Sequence, residues 1–400
     1  MPSITRPALF VSAAVVVCYL LLIAVELTHG RLTRGRWIVD DYDVTIYFER
    51  AQFLPSRTMP YRDVFSEYPP LATMAFTIPM LLAPAARTDV NTYRLMWSTL
   101  MGVCLVVLIY VVARHRVARG LGPWPALILL TPSPLYFSLM RFDVLCALVT
   151  CLSLAAFARR QYGQAYLLLS LGTFLKWYPA VLFPVFVAYH LWPDHRPRDL
   201  RWAIVYVAAT AAIIGISIAA FTWDGMLVPY RFHLGRGSQY FNLYWILETR
   251  GNSWAPATWK GIKFLFLALQ FSIVPILLVR RVRNMTEVFQ YSFLAIYSFV
   301  TFGRLDSPQW VLWYLPPALM IARRPATLGA FGALGFVNYL VFPVAYDAFT
   351  LGEGPVFTSI VFFKDVILLV AVILLLREGS PRHRWALRGI PSHAEVGPVS

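Results

Sequence analysis

The sequence is poor in charged side chains and in residues that form disulfides or bind metals. Only 14% of its 400 residues are charged, and it has four cysteines and seven histidines. The cysteines lie inside apolar stretches without CxxC spacing, which argues against disulfides and a zinc site. Acidic residues number 20 against 35 lysines and arginines, giving a net charge of +15. The arginines form short clusters between apolar segments, so membrane topology and anionic headgroups account for them better than nucleic acid does.

Hydrophobic residues make up 58% of the chain and aromatic residues 16%, which indicates an all-α polytopic membrane protein. We predict about 12 to 13 transmembrane segments, the first of which is retained rather than cleaved as a signal. They lie near residues 8–28, 93–113, 122–140, 143–158, 162–175, 177–192, 202–221, 257–279, 288–303, 308–322, 326–345 and 358–376. The run from Leu71 to Ala83 contains Pro79 and is either a short span or a re-entrant segment.

Arginine clusters follow every second later span, which places them in the cytosol. The intervening loops then share the outer face. The loop at 29–70 joins them only if the 71–83 segment does not cross, or if one later run is two short helices. Arg31, Arg34 and Arg36 favour the inside for this loop, but outer placement gathers the polar motifs on one face. We therefore predict one transmembrane domain at 1–376, a catalytic outer loop at 29–70, an aromatic outer loop at 222–257 and a disordered cytoplasmic tail at 377–400.

Three carboxylates lie within four residues of the first polar loop: Asp40, Asp41 and Asp43. Charge at a membrane edge is costly, so the cluster indicates a function. An amphipathic helix is expected to begin here, and helix capping explains one aspartate more readily than three. The apolar stripe of this helix is predicted at Ile46, Phe53 and Leu54. A carboxylate can accept the proton of a sugar hydroxyl as it attacks an anomeric carbon, and Asp43 is our first choice for this base.

Several motifs in order resemble those of the bacterial polyprenyl-phosphate-mannose-dependent mannosyltransferases, glycosyltransferase family 87. Together they extend over residues 8–320, although each alone is weak. They are Asp43-Val44-Thr45-Ile46-Tyr47, Phe65-Ser66-Glu67-Tyr68-Pro69-Pro70-Leu71, Lys176-Trp177-Tyr178-Pro179, Arg236-Gly237-Ser238-Gln239, and Ser307-Pro308-Gln309-Trp310 with Trp313 and Pro316. The sequence departs from the family at Arg141-Phe142-Asp143 and at 307–310, which leaves the acceptor and the sugar open.

The resemblance implies a GT-C fold, a polyprenyl-phosphate sugar donor and a catalytic aspartate in the first outer loop, matched by Asp43. It also places Lys176 and Gln309 near the donor phosphate or sugar. A phosphate leaves as a stable anion, so the site needs cations and hydrogen-bond donors rather than a strong acid. Besides the three aspartates, the predicted substrate-binding residues are Lys176, Arg236, Gln239, Gln309, Arg141, Asp143, Tyr47 and Tyr68. Snorkelling to headgroups is an equal alternative for Arg141 and Arg304.

The favoured function is inverting transfer of a hexose, with mannose as first choice, to a lipid-linked or extracytoplasmic glycan acceptor at the outer face of the cell membrane. We predict no cofactor and no nucleic-acid partner. A metal is not predicted, because coordination by the aspartates would occupy the base. The alternative is a transporter or flippase of lipid-linked sugars. That function favours a two-half repeat and charges at the membrane midplane, and the sequence shows neither pattern.

Overall fold

The computed structural model describes residues 6–29, 36–40, 42–191, 197–250, 255–350 and 354–378. Asp41 and the tail from residue 379 lie outside the described residues, so the predictions for them stay predictions. The described chain consists of α-helices joined by short turns and 3-10 segments, with no named β-strand in these ranges. This confirms the all-α class.

The helices follow one another along the chain with bounds that match most predicted apolar runs. They are α1 Arg6–His29, α2 Tyr42–Ala51, α3 Phe53–Ser56, α4 Pro70–Ala75, α5 Ile78–Leu82, α6 Val90–Ala118, α7 Pro132–Met140, α8 Asp143–Ala158, α9 Tyr162–Leu175, α10 Phe183–Leu191, α11 Ala203–Gly235, α12 Leu243–Arg250, α13 Pro256–Gln270, α14 Ile273–Val279, α15 Met285–Thr301, α16 Val311–Leu319, α17 Pro325–Tyr339, α18 Tyr346–Thr350 and α19 Gly354–Glu378.

Within the described ranges, five helical stretches are long and apolar enough to cross a bilayer: those at Arg6–Thr28, Val90–Ala118, Asp199–Gly235, Pro325–Thr350 and Gly354–Glu378. Two bent pairs raise the number to seven, α7 with α8 at 105° and α13 with α14 at 55°. The polytopic membrane fold is thus confirmed. The count of about 12 to 13 stays a prediction, because α9, α15 and α16 are shorter than the roughly 20 residues of a full span.

The proline-interrupted run forms two short helices, α4 and α5. The stretch Pro70–Leu82 rises only about 20 Å, whereas the hydrocarbon core is about 30 Å thick. At the break between the helices, the Tyr93 hydroxyl of α6 donates to the Phe76 carbonyl oxygen at 2.8 Å. This segment is therefore short for a full crossing, which favours the re-entrant alternative.

One end of the bundle collects the arginine clusters. Arg116 of α6 donates to the Leu319 carbonyl at the end of α16, and to Ala322 at 2.7 Å. Arg119 donates to the Thr286 hydroxyl at the start of α15 (2.6 Å). The Glu378 carboxylate accepts two backbone N–H groups at the start of α17. We call this the basic end; it comprises Arg116, Arg119, Arg323, Arg324 and Glu378.

The predicted aromatic loop at 222–257 is largely helical. Thr222 adopts φ 68° and ψ 169° within α11, a conformation that is unusual for a β-branched residue. Its hydroxyl accepts the Gly225 N–H at 3.4 Å, so it caps the second half of the helix. The helix resumes to Gly235, and α12 follows. The sequence pattern missed this because a threonine cap restarts the helix beyond the apolar run.

We predict that Gly335→Ala destabilises the protein by about 1 to 3 kcal/mol, the range for overpacking. A Cβ on Gly335 of α17 would lie 2.9 Å from the Thr131 Cβ, with the Thr131 hydroxyl closer still. Gly332→Ala is the matched control, because a Cβ at that position meets no atom within 4 Å. Thermal unfolding of the detergent-purified variants measures both. Equal midpoints would contradict the close approach of α17 to residue 131.

Candidate active site

The sequence motifs meet at one cavity of about 1130 Å³, and the structure thereby joins segments that are far apart in the chain. Its wall is built from the start of α2, the bend between α7 and α8, the end of α9, the end of α11 and the loops at 236–241 and 303–310. The predicted residues that line it are Asp40, Asp43, Tyr68, Arg141, Lys176, Arg236, Gln239 and Gln309. Tyr47 and Asp143 lie behind the wall.

Arg141 stands at the sharp bend between α7 and α8 and is only 4% exposed. Its Nε lies 2.8 Å from Asp43 Oδ2 and donates to Gln309 Oε1 at 2.9 Å. A terminal N–H donates to Asp40 Oδ2. Snorkelling does not describe this side chain, since the guanidinium is buried and shared by three acceptors. Its placement makes it a partner of the two aspartates, within reach of the cavity.

Asp40 and Asp43 differ in exposure. The Asp40 side chain is 2% exposed, and its Oδ1 accepts the Tyr42 backbone N–H at the start of α2 (3.4 Å), which is a capping contact. The Asp43 side chain is 21% exposed and keeps access to the cavity. Burial raises the pKa of Asp43; the charge of Arg141 opposes the rise, and Asp40 adds to it. An accessible carboxylate with a raised pKa suits a general base better than a capped, enclosed one.

Helix α2 uses a different buried face from the predicted one. The buried residues of α2 are Val44, Tyr47 and Ala51. The predicted apolar stripe at Ile46, Phe53 and Leu54 was wrong, because α2 ends at Ala51 and Ile46 is only half-buried. The Tyr47 ring stacks on Phe76 with centroids 4.5 Å apart. Tyr47 therefore anchors α2, and direct substrate contact does not fit its position. Tyr68 packs edge-on against Tyr47 and still lines the cavity.

Asp143, the first residue of α8, supports Lys176 instead of facing the cavity. It is fully buried, and its Oδ1 lies 2.6 Å from the Lys176 Nζ and accepts the Trp313 indole N–H, also at 2.6 Å. The Lys176 ammonium lies over the rings of Phe142 (4.5 Å) and Trp313 (5.1 Å). Such cation–π contacts help to hold a partly desolvated ammonium. Direct substrate binding by Asp143 is thus revised to positioning of Lys176.

A second polar group joins the loops that follow α11 and α15. In the amide orientation that satisfies its neighbours, Gln239 donates to the Asp306 carbonyl oxygen (2.6 Å) and accepts from Arg236 (2.8 Å). Arg304 donates to the carbonyls of His233 (3.2 Å) and Leu234 (2.8 Å) at the end of α11. The Arg304 contacts place a cation beside the carbonyls at the C-terminal end of α11, where positive charge is favourable. Arg236 remains exposed at the cavity wall.

Sequence reasoning missed Glu67 and Trp310 as site residues. Glu67 lines the cavity and pairs with Arg50 at 2.8 Å. Trp310 also lines it and stacks on Trp313 with centroids 4.3 Å apart. Glu67 lies in the motif at 65–71 and Trp310 in the motif at 307–310. Their positions in these motifs could have identified them as site residues.

The aspartates form no metal cage within the described ranges. No group there of three or more histidine, cysteine or acidic side chains is arranged to hold a metal ion. Arg141 occupies the space between Asp40 and Asp43 where a shared cation would stand. Metal independence stays a prediction, and Asp41 lies outside the described residues.

Comparison with known proteins gives a family. The model of glycosyltransferase family 87 matches residues 65–308, more than half of the chain. The chain belongs to glycosyltransferase family 87. This family 87 protein is also similar to the catalytic subunit of GPI alpha-1,4-mannosyltransferase I from Danio rerio, with 25% identity over 297 residues, 69% of this chain and 71% of the relative. With its apolar helices, it is a multi-pass membrane glycosyltransferase. The family match starts at Phe65, after the aspartate cluster.

We predict that Arg141→Lys lowers the transfer rate by at least about a hundredfold, since misplaced catalytic groups cost this much. A lysine has one ammonium and cannot hold Asp40, Asp43 and Gln309 in the geometry of the guanidinium. The matched control is Arg62→Lys, which alters an exposed pair with Asp63. Initial rates of the two purified variants test this. Full activity of Arg141→Lys would contradict a shared guanidinium at the site.

Proposed function

We propose that this membrane glycosyltransferase moves a hexose, with mannose as first choice, from a polyprenyl-phosphate donor to a hydroxyl of a lipid-linked or extracytoplasmic glycan. The observation that carries the proposal is the partly exposed Asp43 carboxylate, held by Arg141 in the same cavity as Lys176 and Arg236. A base and phosphate-binding cations in one cavity are the groups that this reaction needs.

The reaction is a single displacement. The acceptor hydroxyl oxygen forms a bond to the anomeric carbon while its proton passes to Asp43. The bond from that carbon to the phosphate oxygen breaks, and the polyprenyl phosphate leaves as an anion. Lys176 and Arg236 stabilise the charge on the departing phosphate through charge-assisted hydrogen bonds. Attack opposite the leaving group inverts the anomeric centre, so a β-linked donor gives an α-linked product.

Mannose is favoured by the family resemblance and by the relative from Danio rerio, which is itself a mannosyltransferase subunit by name. The residues that line the cavity include hydrogen-bonding groups and Trp310, which suit a sugar without selecting one hexose. The sugar identity is therefore the part of the proposal that rests on similarity.

The position of the cavity supports an extracytoplasmic active site. Asp143 begins α8 and Gln309 lies just before α16, and both are near the cavity. At their other ends, α8 leads to Arg159 and α16 reaches the basic end. Positive clusters stay in the cytosol, so the opposite end faces outward. The short Pro70–Leu82 stretch then keeps the Asp43 loop on the same side as the start of α6.

A transporter or flippase remains the rival. It is favoured by charge inside a membrane helix, and Lys364 in the middle of α19 is such a charge. The family membership favours a transferase instead. An assay in detergent distinguishes the two functions, because no sealed compartment exists there and only a transferase forms a new glycosidic bond.

We predict that Asp43→Asn lowers turnover by a factor of roughly 10² to 10⁴, typical of a lost general base. The base acts only when ionised, so wild-type kcat/KM should fall as pH drops through a pKa above the ordinary aspartate value, because burial raises it. The residual activity of Asp43→Asn should lack this acid limb. Rates between pH 4 and 8 measure both.

The control for this substitution is Asp63→Asn at an exposed pair with Arg62, which should match the wild type. Near wild-type transfer by Asp43→Asn, alongside inactive but folded Asp40→Asn, would move the base to Asp40. An acid limb at or below the ordinary aspartate value would contradict the raised pKa.

We also predict that purified protein transfers mannose from synthetic polyprenyl-phosphate mannose in excess EDTA. The displacement needs no metal, and Arg141 already balances the aspartates. Mass spectrometry of the acceptor lipid detects the product, with polyprenyl-phosphate glucose as the competing donor. Activity lost in EDTA and restored by Mg²⁺ or Mn²⁺ would make Asp43 a ligand. Absence of any product with a lipid-linked acceptor pool would overturn the transferase proposal.

A further inference from the structure

A lysine is buried in the middle of α19, beyond the residues matched by the family model. Lys364 is 4% exposed, and its Nζ lies 3.1 Å from Asp306 Oδ2 and 3.2 Å from Asp365 Oδ1. It also donates to the Phe241 carbonyl oxygen at 2.7 Å. A charge at this depth persists only when it is well paired, and such residues usually serve a function.

The partners of Lys364 belong to two loops of the cavity wall. Phe241 is in the loop that carries Arg236 and Gln239, and Asp306 is in the loop that leads to Gln309. Lys364 itself is not among the residues that line the cavity. Its ammonium therefore contacts both loops from behind the site.

Further bonds make the two loops one unit around this ammonium. The Asn242 amide donates to the Gly303 carbonyl oxygen at 2.8 Å, and the Gln239 backbone N–H donates to the Arg304 carbonyl oxygen at 3.2 Å. Asp365, the other carboxylate beside Lys364, accepts the Leu243 N–H at 3.1 Å at the start of α12. Lys364 supplies the cation at the centre of these bonds.

We infer that Lys364 is a positioning residue: its ammonium fixes the loops at 236–243 and 303–309, and through them the cation that receives the donor phosphate and the amide that orients Arg141. Arg236 lies at one end of this unit and Gln309 at the other. The kinetic part of this inference rests on the proposed function; the structural part does not.

The first test is hydrogen–deuterium exchange of the full-length protein in detergent, without substrate. Lys364→Met should increase amide exchange in residues 236–243 and 303–309 and leave α6 and α8 unchanged. The matched control is Arg116→Met, which removes a buried cation at the basic end. That control should raise exchange near residues 319–322 and not in the two loops.

The second test is a KM-against-kcat comparison with the same variants. Lys364→Met should lower kcat/KM for the polyprenyl-phosphate donor by roughly ten- to a hundredfold, the size expected for misplaced binding groups. The acceptor KM should stay near that of the wild type, and Arg116→Met should leave the donor kcat/KM in place. A general loss of stability would instead alter the kinetic constants for donor and acceptor alike, and it would do so in Arg116→Met as well as in Lys364→Met.

Removal of Lys364 leaves two buried carboxylates unpaired, which can prevent folding. The double variant Lys364→Met with Asp306→Asn removes one of these charges together with the ion pair, and it should show the same loop exchange as the single variant. Unchanged exchange in both loops of either folded variant would overturn the inference, as would an equal donor effect in Arg116→Met. If the wild-type protein makes no product from the donor, the proposed function fails and the exchange comparison alone decides the role of Lys364.

Discussion

The site depends on one guanidinium that is divided among several acceptors. Arg141 contacts Asp40, Asp43 and Gln309, so two carboxylates share its guanidinium in a largely desolvated place, and Arg36 adds a longer contact with Asp40 at 3.7 Å. Ionised carboxylates are costly to bury without full compensation. Asp40 is enclosed beside the Arg141 guanidinium, whereas Asp43 reaches the cavity. Burial is the main reason that the pKa of Asp43 is raised, and the charge of Asp40 adds to the rise, while the ion pair with Arg141 opposes it and keeps the carboxylate in place.

The bend between α7 and α8 organises both halves of the cavity with two residues. Arg141 turns toward the aspartates of the first polar loop, and Asp143 turns toward Lys176 and Trp313. A shift of the bend would thus move the proposed base and the lysine proposed to bind phosphate together. The departure of this sequence from the family pattern at 141–143 lies at the point that connects Asp43 with Lys176.

Much of the arrangement could be predicted from the sequence, since alternating span ends place loops on one face and the motifs lie at those ends. The buried face of α2 could not, because Phe76 rather than the local pattern selects Tyr47. The support of Lys176 by Asp143 depends equally on Trp313, 170 positions along the chain from Asp143. Polar groups that act through such distant partners have no local signature, and the same holds for Asp306 with Lys364.

The short stretch Pro70–Leu82 has a consequence for how the protein is made. Its two helices are broken at Phe76, and irregular backbone at membrane depth is tolerated only where protein surrounds it. The Phe76 carbonyl finds its partner in Tyr93, which is synthesised later as part of α6. This contact can form only after α6 has been synthesised, so the segment and the first polar loop beside it reach their final packing once the following helix is in place.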